Sequence, residues 1–99
     1  MDGDEVSRVG HLTRARAWSG VRDGDPVVVA GVSPRQSWVF VAHVTNDLSG
    51  EEWVEVRGGR VGEAKTRSFR PDALYPGDAR RGSRWVRAPL SMAPRLPLG

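Results

Sequence analysis

The residues best suited to chemistry lie near the C-terminus, in the stretch RRGSRWVR. Five of its eight positions are arginine or tryptophan: Arg80, Arg81, Arg84, Trp85 and Arg87. Guanidinium groups bind the phosphates of nucleic acids and release counterions, so such binding weakens as the salt concentration rises. An indole ring adds a flat surface on which bases stack. The stretch is therefore a candidate contact for nucleic acid.

Trp85 has a second interpretation. Tryptophan is usually highly buried, and a chain of 99 residues without cysteine has little core and no disulfide to support it. Trp85 either completes this small core, leaving the arginines solvated around it, or lies exposed and contacts a ligand. The sequence leaves both possibilities open.

A second basic group falls on two neighbouring predicted strands. Alternate residues of paired antiparallel strands share a face, so Arg57, Lys65 and Arg67 could gather into one basic strip. Acidic residues nearby in the sequence could equally neutralise this strip. We treat its three residues as candidate binding residues together with the C-terminal stretch.

The sequence offers no catalytic or metal-binding pattern. It has two histidines, His11 and His43, no cysteine, and no grouping of His, Asp and Glu at metal-ligand spacing. The segment RGGRVGEAK contains glycines and a lysine but lacks the spacing of a phosphate-binding loop. We therefore predict a protein that is not an enzyme and has no cofactor, in which His43 is an ordinary strand residue.

The positive charge is concentrated near the C-terminus. The chain has 15 basic and 12 acidic residues, a net charge of +3, and residues 76–99 hold five arginines against one aspartate. No apolar run approaches the roughly 18 residues of a membrane span, and the acidic start MDGDE is unlike the basic start of a signal peptide. These features predict a cytoplasmic protein that does not enter membranes.

Short strands separated by turn residues dominate the middle of the chain. Four segments are rich in β-branched or aromatic residues and are bounded by Gly, Pro, Asn, Asp or Ser: GDPVVVAGV (24–32), QSWVFVAHVT (36–45), EEWVEVR (51–57) and KTRSFR (65–70). A single helical turn at PDAL follows, with Leu74 as a plug. This order predicts an all-β fold, a small SH3-like barrel of four to five short antiparallel strands over residues 24–78.

Irregular arms are expected on both sides of the barrel. Residues 1–23 contain glycines that argue against a long helix, so this arm is either disordered or contains a turn of helix or an extended stretch that lays Trp18 on the barrel. The prolines of residues 79–99 exclude long regular elements, although RWV could still add an edge strand. Within the barrel, the second strand alternates between two faces. One face is predicted to carry Trp38, Phe40, Ala42 and Val44, and the other Val39, Val41, His43 and Thr45.

Two segments resemble known families. GDPVVVAG resembles the Gly-Asp-x-Val-x-Val opening of KOW and related SH3-like modules of transcription, translation and ribosomal proteins. The segment WVFVAHVTN…GEEWVEVRGG…RSFRPDAL is similar to short uncharacterised actinobacterial and actinophage proteins. These resemblances cover residues 24–75 and imply an SH3-like fold and a phage or actinobacterial context. The KOW lysine- and glycine-rich stretch is replaced here by VSPRQS, so its RNA contacts do not transfer.

Two functional hypotheses follow. The first is a small binding module that associates with nucleic acid or a nucleoprotein complex through the C-terminal stretch and the strip on the third and fourth strands. The second is a protein-directed accessory or structural factor, such as a phage-encoded modulator of a host complex or a virion component. In the second hypothesis, the two arms contact a larger host or phage protein assembly.

Overall fold

The fold is built from short antiparallel strands. A computed structural model of the chain describes residues 6–32, 36–60, 62, 64–82 and 84–92. The strands in this part of the chain are β1 (Val6–Val9), β2 (Leu12–Ala15), β3 (Ala17–Trp18), β4 (Val21–Arg22), β5 (Pro26–Val29), β6 (Ser37–Asn46), β7 (Glu52–Gly59), β8 (Lys65–Phe69), β9 (Leu74–Pro76), β10 (Arg80–Arg81) and β11 (Arg84–Trp85). Two 3-10 helices, Pro71–Ala73 and Leu90–Met92, complete the described elements. The prediction of an all-β fold is confirmed.

The ten-residue strand β6 organises the main sheet. Along one edge it pairs first with β5 and then with β2, and along the other edge it pairs with β7. Strand β8 extends the sheet beyond β7, β1 lies outside β2, and β9 lies outside β5. No pairing among the described strands closes this sheet into a barrel.

The core lies mainly between residues of the central strands. Its buried members are Val21, Val27, Val29, Trp38, Phe40, Val54, Val56, Leu74 and Leu90. Leu74 is fully buried, as its predicted role of a plug requires, and follows the 3-10 helix that begins at Pro71. Phe69 of β8 packs against this cluster from the side. The apolar residues of the predicted strands therefore supply most of the core.

The predicted alternation of faces along β6 is wrong beyond Phe40, because the strand contains a β-bulge. The four residues predicted to share one face are all buried: Trp38, Phe40, Ala42 and Val44. However, the pairing with β7 shifts between Phe40 and Ala42, so that Phe40 stands opposite Val56 and His43 opposite Val54. Val54 and Val56 are alternate residues and share a face, so His43 joins Phe40 on the core side. A bulge inserts one unpaired residue and exchanges the faces beyond it.

The N-terminal segment also differs from the prediction of an irregular arm. Strands β1 and β2 form a hairpin that pairs with the second half of β6, and β3 and β4 form a separate small hairpin. The glycines that argue against a helix supply the turns, because Gly10 and Gly20 have φ angles of 59° and 89°. Val21 of β4 is buried in the core, with Trp18 packed beside it.

The C-terminal segment is likewise more ordered than an irregular tail. Among the described strands, β10 and β11 pair with each other and with no other strand, so RWV contributes to a short hairpin and not to an edge of the main sheet. Leu90 is 5% exposed and belongs to the core. The Ser19 hydroxyl donates a hydrogen bond to the Leu90 carbonyl at 2.5 Å. Prolines prevent long regular elements here, but they do not prevent an apolar side chain from packing. Residues 93–99 of the predicted tail lie outside the described residues.

Candidate functional site

The hairpin β10–β11 sorts the predicted arginines into two groups. Arg80 stands opposite Trp85, and Arg81 stands opposite Arg84. Residues directly opposite each other share a face of a two-stranded ribbon, so these two pairs lie on opposite faces. The Arg80 guanidinium carbon lies 4.9 Å from the centroid of the Trp85 ring, in a cation–π contact.

Trp85 lies at the surface, and Tyr75 contacts its ring in addition to the Arg80 guanidinium. Its ring stacks on Tyr75 of β9, with centroids 4.0 Å apart. The residue is 41% exposed and does not belong to the core cluster. Trp85 is therefore an anchored surface ring, which combines a structural contact with an accessible aromatic surface.

Among the described residues, no acidic group offsets the charges of Arg81 and Arg84. Both are exposed, and neither lies within 4.0 Å of a carboxylate among the described residues. Like charges placed directly opposite each other destabilise a strand pair. Arg87 differs, because it forms an ion pair with Asp78 at 2.8 Å. Within RRGSRWVR, the positive charge available to a ligand is concentrated on Arg81 and Arg84.

The strand register divides the predicted basic strip. Lys65 stands opposite Gly58, whereas Arg57 stands opposite Thr66. Lys65 and Arg67 therefore share one face of β8, and Arg57 lies on the other face of the sheet. The predicted strip of three residues is therefore not formed. Arg57 shares its face with Thr66, and not with Lys65 and Arg67. The guanidinium of Arg67 lies over the ring of Phe69, at 5.4 Å from its centroid.

Lys65 and Arg67 border a cavity that the sequence did not reveal. The cavity measures about 340 Å³ and is lined by Gln36, Trp38, Gly59, Arg60, Lys65 and Arg67. Arg60 follows the end of β7 and contributes a third cation. Among the described residues of the lining, the charged side chains are all cations, which suits an anionic group.

A second cavity adjoins the first one and reaches the C-terminal hairpin. It measures about 180 Å³ and is lined by Val27, Val28, Val29, Val32, Gln36, Trp38, Arg80 and Gly82. Gln36 and Trp38 line both cavities, so these two residues form their common boundary. The cations of β8 and the arginines of the hairpin, far apart in the sequence, thus lie on either side of Trp38.

His43 has structural contacts that account for its position. Its ring stacks on Trp18, with centroids 5.0 Å apart and an interplanar angle of 2°. Its Nε2 atom lies 2.9 Å from a carboxylate oxygen of Glu52. Within the described residues, no group of three or more His, Cys, Asp and Glu side chains could hold a metal ion.

Another carboxylate of β7 is also engaged. Arg14 Nε donates a hydrogen bond of 2.8 Å to Glu55, and the Arg14 NH2 group approaches the same oxygen at 2.6 Å. Glu52 and Glu55 therefore contact His43 and Arg14, and neither contributes to the cavities around Trp38.

Comparisons of the chain with protein-family models, with curated proteins and with solved structures find no match. In the described part of the chain, no helix has the length and apolar character needed to cross a membrane. The interpretation of the site therefore depends on the geometry of its own residues.

Proposed function

We propose that this protein is a non-enzymatic module that binds nucleic acid through a basic surface around Trp38. We define the basic surface by seven residues: Arg60, Lys65, Arg67, Arg80, Arg81, Arg84 and Trp85. The proposal rests on one observation. Two cavities share Gln36 and Trp38 in their linings, and together they connect the cations of β8 with the hairpin β10–β11.

The residues of the basic surface supply both kinds of contact that nucleic acids require. Arg81 and Arg84 are exposed cations for phosphates, and the 340 Å³ cavity offers a concave site between Arg60 and Arg67 for another phosphate. Trp85, which is 41% exposed, adds an aromatic side chain at the surface. Such a combination of cations and an aromatic ring is typical of proteins that bind single strands.

Single-stranded nucleic acid fits this surface better than a duplex. Bases in a duplex are already stacked on each other, so their faces are not open to a side chain. A single strand can place an unstacked base against the exposed part of Trp85 and pass over the edge of the hairpin, so that its phosphates reach Arg81 and Arg84 on the other face. We therefore expect tighter binding to single strands, as free molecules or within a nucleoprotein complex.

We further propose that the fold is related to SH3-like barrels. The support lies in the order of its elements, because β5, β6, β7 and β8 follow each other as a meander. The 3-10 helix Pro71–Ala73 then leads into β9, which returns to pair with β5. Closure of the main sheet would require pairings beyond those of the described strands.

A titration with fluorescently labelled oligonucleotides tests the proposed function. Anisotropy is measured with a single strand and with a duplex of the same length, from about 50 to about 200 mM salt. We expect tighter binding to the single strand, with a logarithm of affinity that falls linearly with the logarithm of salt concentration. If neither oligonucleotide binds in a salt-dependent manner, the proposal fails and the protein-directed alternative replaces it.

A further inference from the structure

Strand β1 forms an outer edge of the main sheet. Among the described strands it pairs with β2 and with no other strand. All four of its residues are exposed, and the exposed fractions of Val6 and Val9 are 56% and 76%. Its pairing with β2 runs without a bulge, and the strand contains no proline. The outer side of β1 is therefore a regular strand edge of the kind that accepts a further strand.

The hydrogen bonds beside β2 show which backbone groups of β1 face outward. The carbonyl of His11, just before β2, accepts a hydrogen bond of 2.7 Å from the backbone amide of Asp47, just after β6. Backbone groups alternate in direction from one residue to the next. The next residue, Leu12, therefore directs its groups away from β6 and toward Val9, which stands opposite it on β1. By the same alternation, the N–H and C=O groups that point outward from β1 are those of Val6 and Arg8.

The other outer strands of the main sheet, β8 and β9, oppose pairing with a copy of themselves. A centred antiparallel pairing of β8 would place Arg67 opposite Arg67 of the other copy, and like charges in that position are destabilising. Strand β9 has three residues and ends in Pro76, which has no N–H group to donate. Charged residues and prolines are the features that usually keep strand edges apart. Of the described outer strands, β1 is therefore the one best suited to self-association.

We propose that β1 is the interface of a homodimer, in which the β1 strands of two copies pair antiparallel about a twofold axis. In an antiparallel pair, two residues that stand directly opposite each other exchange hydrogen bonds with each other or not at all. Centring the pair on Ser7 meets this condition, because Val6 then stands opposite Arg8 of the second copy and both face outward. The same surface serves both copies, as in most closed dimers.

The charges of β1 are compatible with this register and favour a second copy as the occupant. No like charges stand opposite each other within the paired strands, and the aliphatic stem of Arg8 lies along Val6 of the second copy. The Arg8 guanidinium is 3.1 Å from the Asp47 carboxylate of its own chain, which offsets its charge. Glu5, the nearest acidic residue before β1 in the sequence, falls opposite Val9 in the same register and so meets no carboxylate.

Sedimentation equilibrium of the unmodified full chain tests the proposal. A pairing of so few residues covers less than the roughly 1,200 Å² of a stable interface, so the dimer is weak and the protein is measured from about 10 μM to about 1 mM. We expect the average mass to rise from that of one chain toward that of two. A mass that stays at one chain throughout, or that grows beyond two chains, would overturn the proposal.

¹H–¹⁵N NMR spectra over the same concentrations locate the interface. We expect the backbone amide signals of Val6 and Arg8 to shift as the dimer forms, because their N–H groups gain acceptors on the second copy. The amide signals of Thr66 and Ser68, on the outer strand β8, are the reference and should not move. Shifts centred on β8 or on the hairpin β10–β11 would contradict an interface at β1.

Two variants at one position separate the backbone hydrogen bond from the charge. Arg8→Pro removes the charge and the outward N–H group, which β2 does not use, whereas Arg8→Gln removes the charge and keeps the N–H group. We expect the association constant to fall about tenfold or more in Arg8→Pro, since each copy loses one hydrogen bond, and to stay within about threefold in Arg8→Gln. Equal association of the two variants would contradict the strand pairing.

The spectra of the two variants also report on their folding, because a folded chain keeps dispersed amide signals. The mapping of the unmodified protein does not depend on either variant. These samples contain no oligonucleotide, so the outcome is independent of whether the protein binds nucleic acid.

Discussion

The ring of Trp85 lies on the ring of Tyr75, with centroids 4.0 Å apart and an angle of 29° between the planes. This stacking holds an aromatic side chain at the surface in a fixed position, while 41% of Trp85 remains accessible. A ring that is already ordered loses little conformational entropy when a base stacks on it. The Trp85–Tyr75 pair therefore prepares a stacking position beside the arginines of the hairpin.

Replacement of Trp85 by leucine should reduce binding more than it reduces stability. We expect the binding free energy for a single-stranded oligonucleotide to weaken by about 1 to 3 kcal/mol, the contribution of one stacked base. Loss of the ring pair should lower the free energy of unfolding by only about 1 kcal/mol. Trp53→Leu is the control, because Trp53 lines neither cavity around Trp38. Anisotropy and urea denaturation measure the two quantities, and equal losses of affinity in both variants would contradict the stacking role.

Leu90 should contribute to stability although it lies in a segment rich in proline. Leu90 is 5% exposed, whereas Met92, in the same 3-10 helix, is 70% exposed. We expect Leu90→Ala to lower the free energy of unfolding by about 2 to 5 kcal/mol, and Met92→Ala to change it by less than about 0.5 kcal/mol. Urea denaturation of both variants measures the difference. Similar, small effects would mean that the C-terminal segment does not belong to the core.

The middle strands could be predicted because their signals are local. A continuous run of valines follows Pro26, and the boundaries of β6 lie within one residue of the prediction. The turn after β6 could also be predicted from its sequence. The side-chain oxygen of Asn46 accepts hydrogen bonds from the backbone amides of Leu48 and Ser49, which is the usual reason for asparagine at such a position.

The strand faces could not be predicted because they depend on register. A single extra residue in β6 moves His43 to the core side, and no local composition marks that bulge. In the same way, Arg57 separates from Lys65 because of the pairing between β7 and β8. Periodicity identifies alternating residues within a strand, but the relation between two strands is a long-range property.

The candidate site was predicted only in part. The cluster of arginines around Trp85 is visible in the sequence, because its members are neighbours. The contribution of Gln36 and Trp38 is not visible, because the fold alone brings them beside Arg80 and Gly82. A strand tryptophan in an alternating pattern indicates a core residue, and only the structure reveals its unpaired N–H group.

Gly58 should tolerate no side chain. Its φ angle is 151°, and a Cβ atom there would collide with the backbone carbonyl oxygen of Ser37 on β6. We expect Gly58→Ala to lower the free energy of unfolding by more than about 2 kcal/mol, because strain and the backbone collision add. Gly10→Ala is the control, since Gly10 has a φ of 59° with open space around it. Its expected cost is about 1 to 2 kcal/mol, and equal effects in thermal denaturation would contradict the close approach of β7 to β6.

Simultaneous replacement of Arg81 and Arg84 by glutamine should change the salt dependence of binding without unfolding the protein. If each arginine contacts one phosphate of a single strand, the slope of log affinity against log salt should become shallower by about 1.4. The free energy of unfolding should stay the same or rise by up to about 1 kcal/mol, because two opposed like charges disappear. The double variant Arg8→Gln and Arg70→Gln removes the same net charge from side chains that are paired with Asp47 and Asp72, and its slope should remain unchanged. An equal change of slope in both double variants, measured by anisotropy titration, would indicate a general effect of net charge rather than contact through the hairpin.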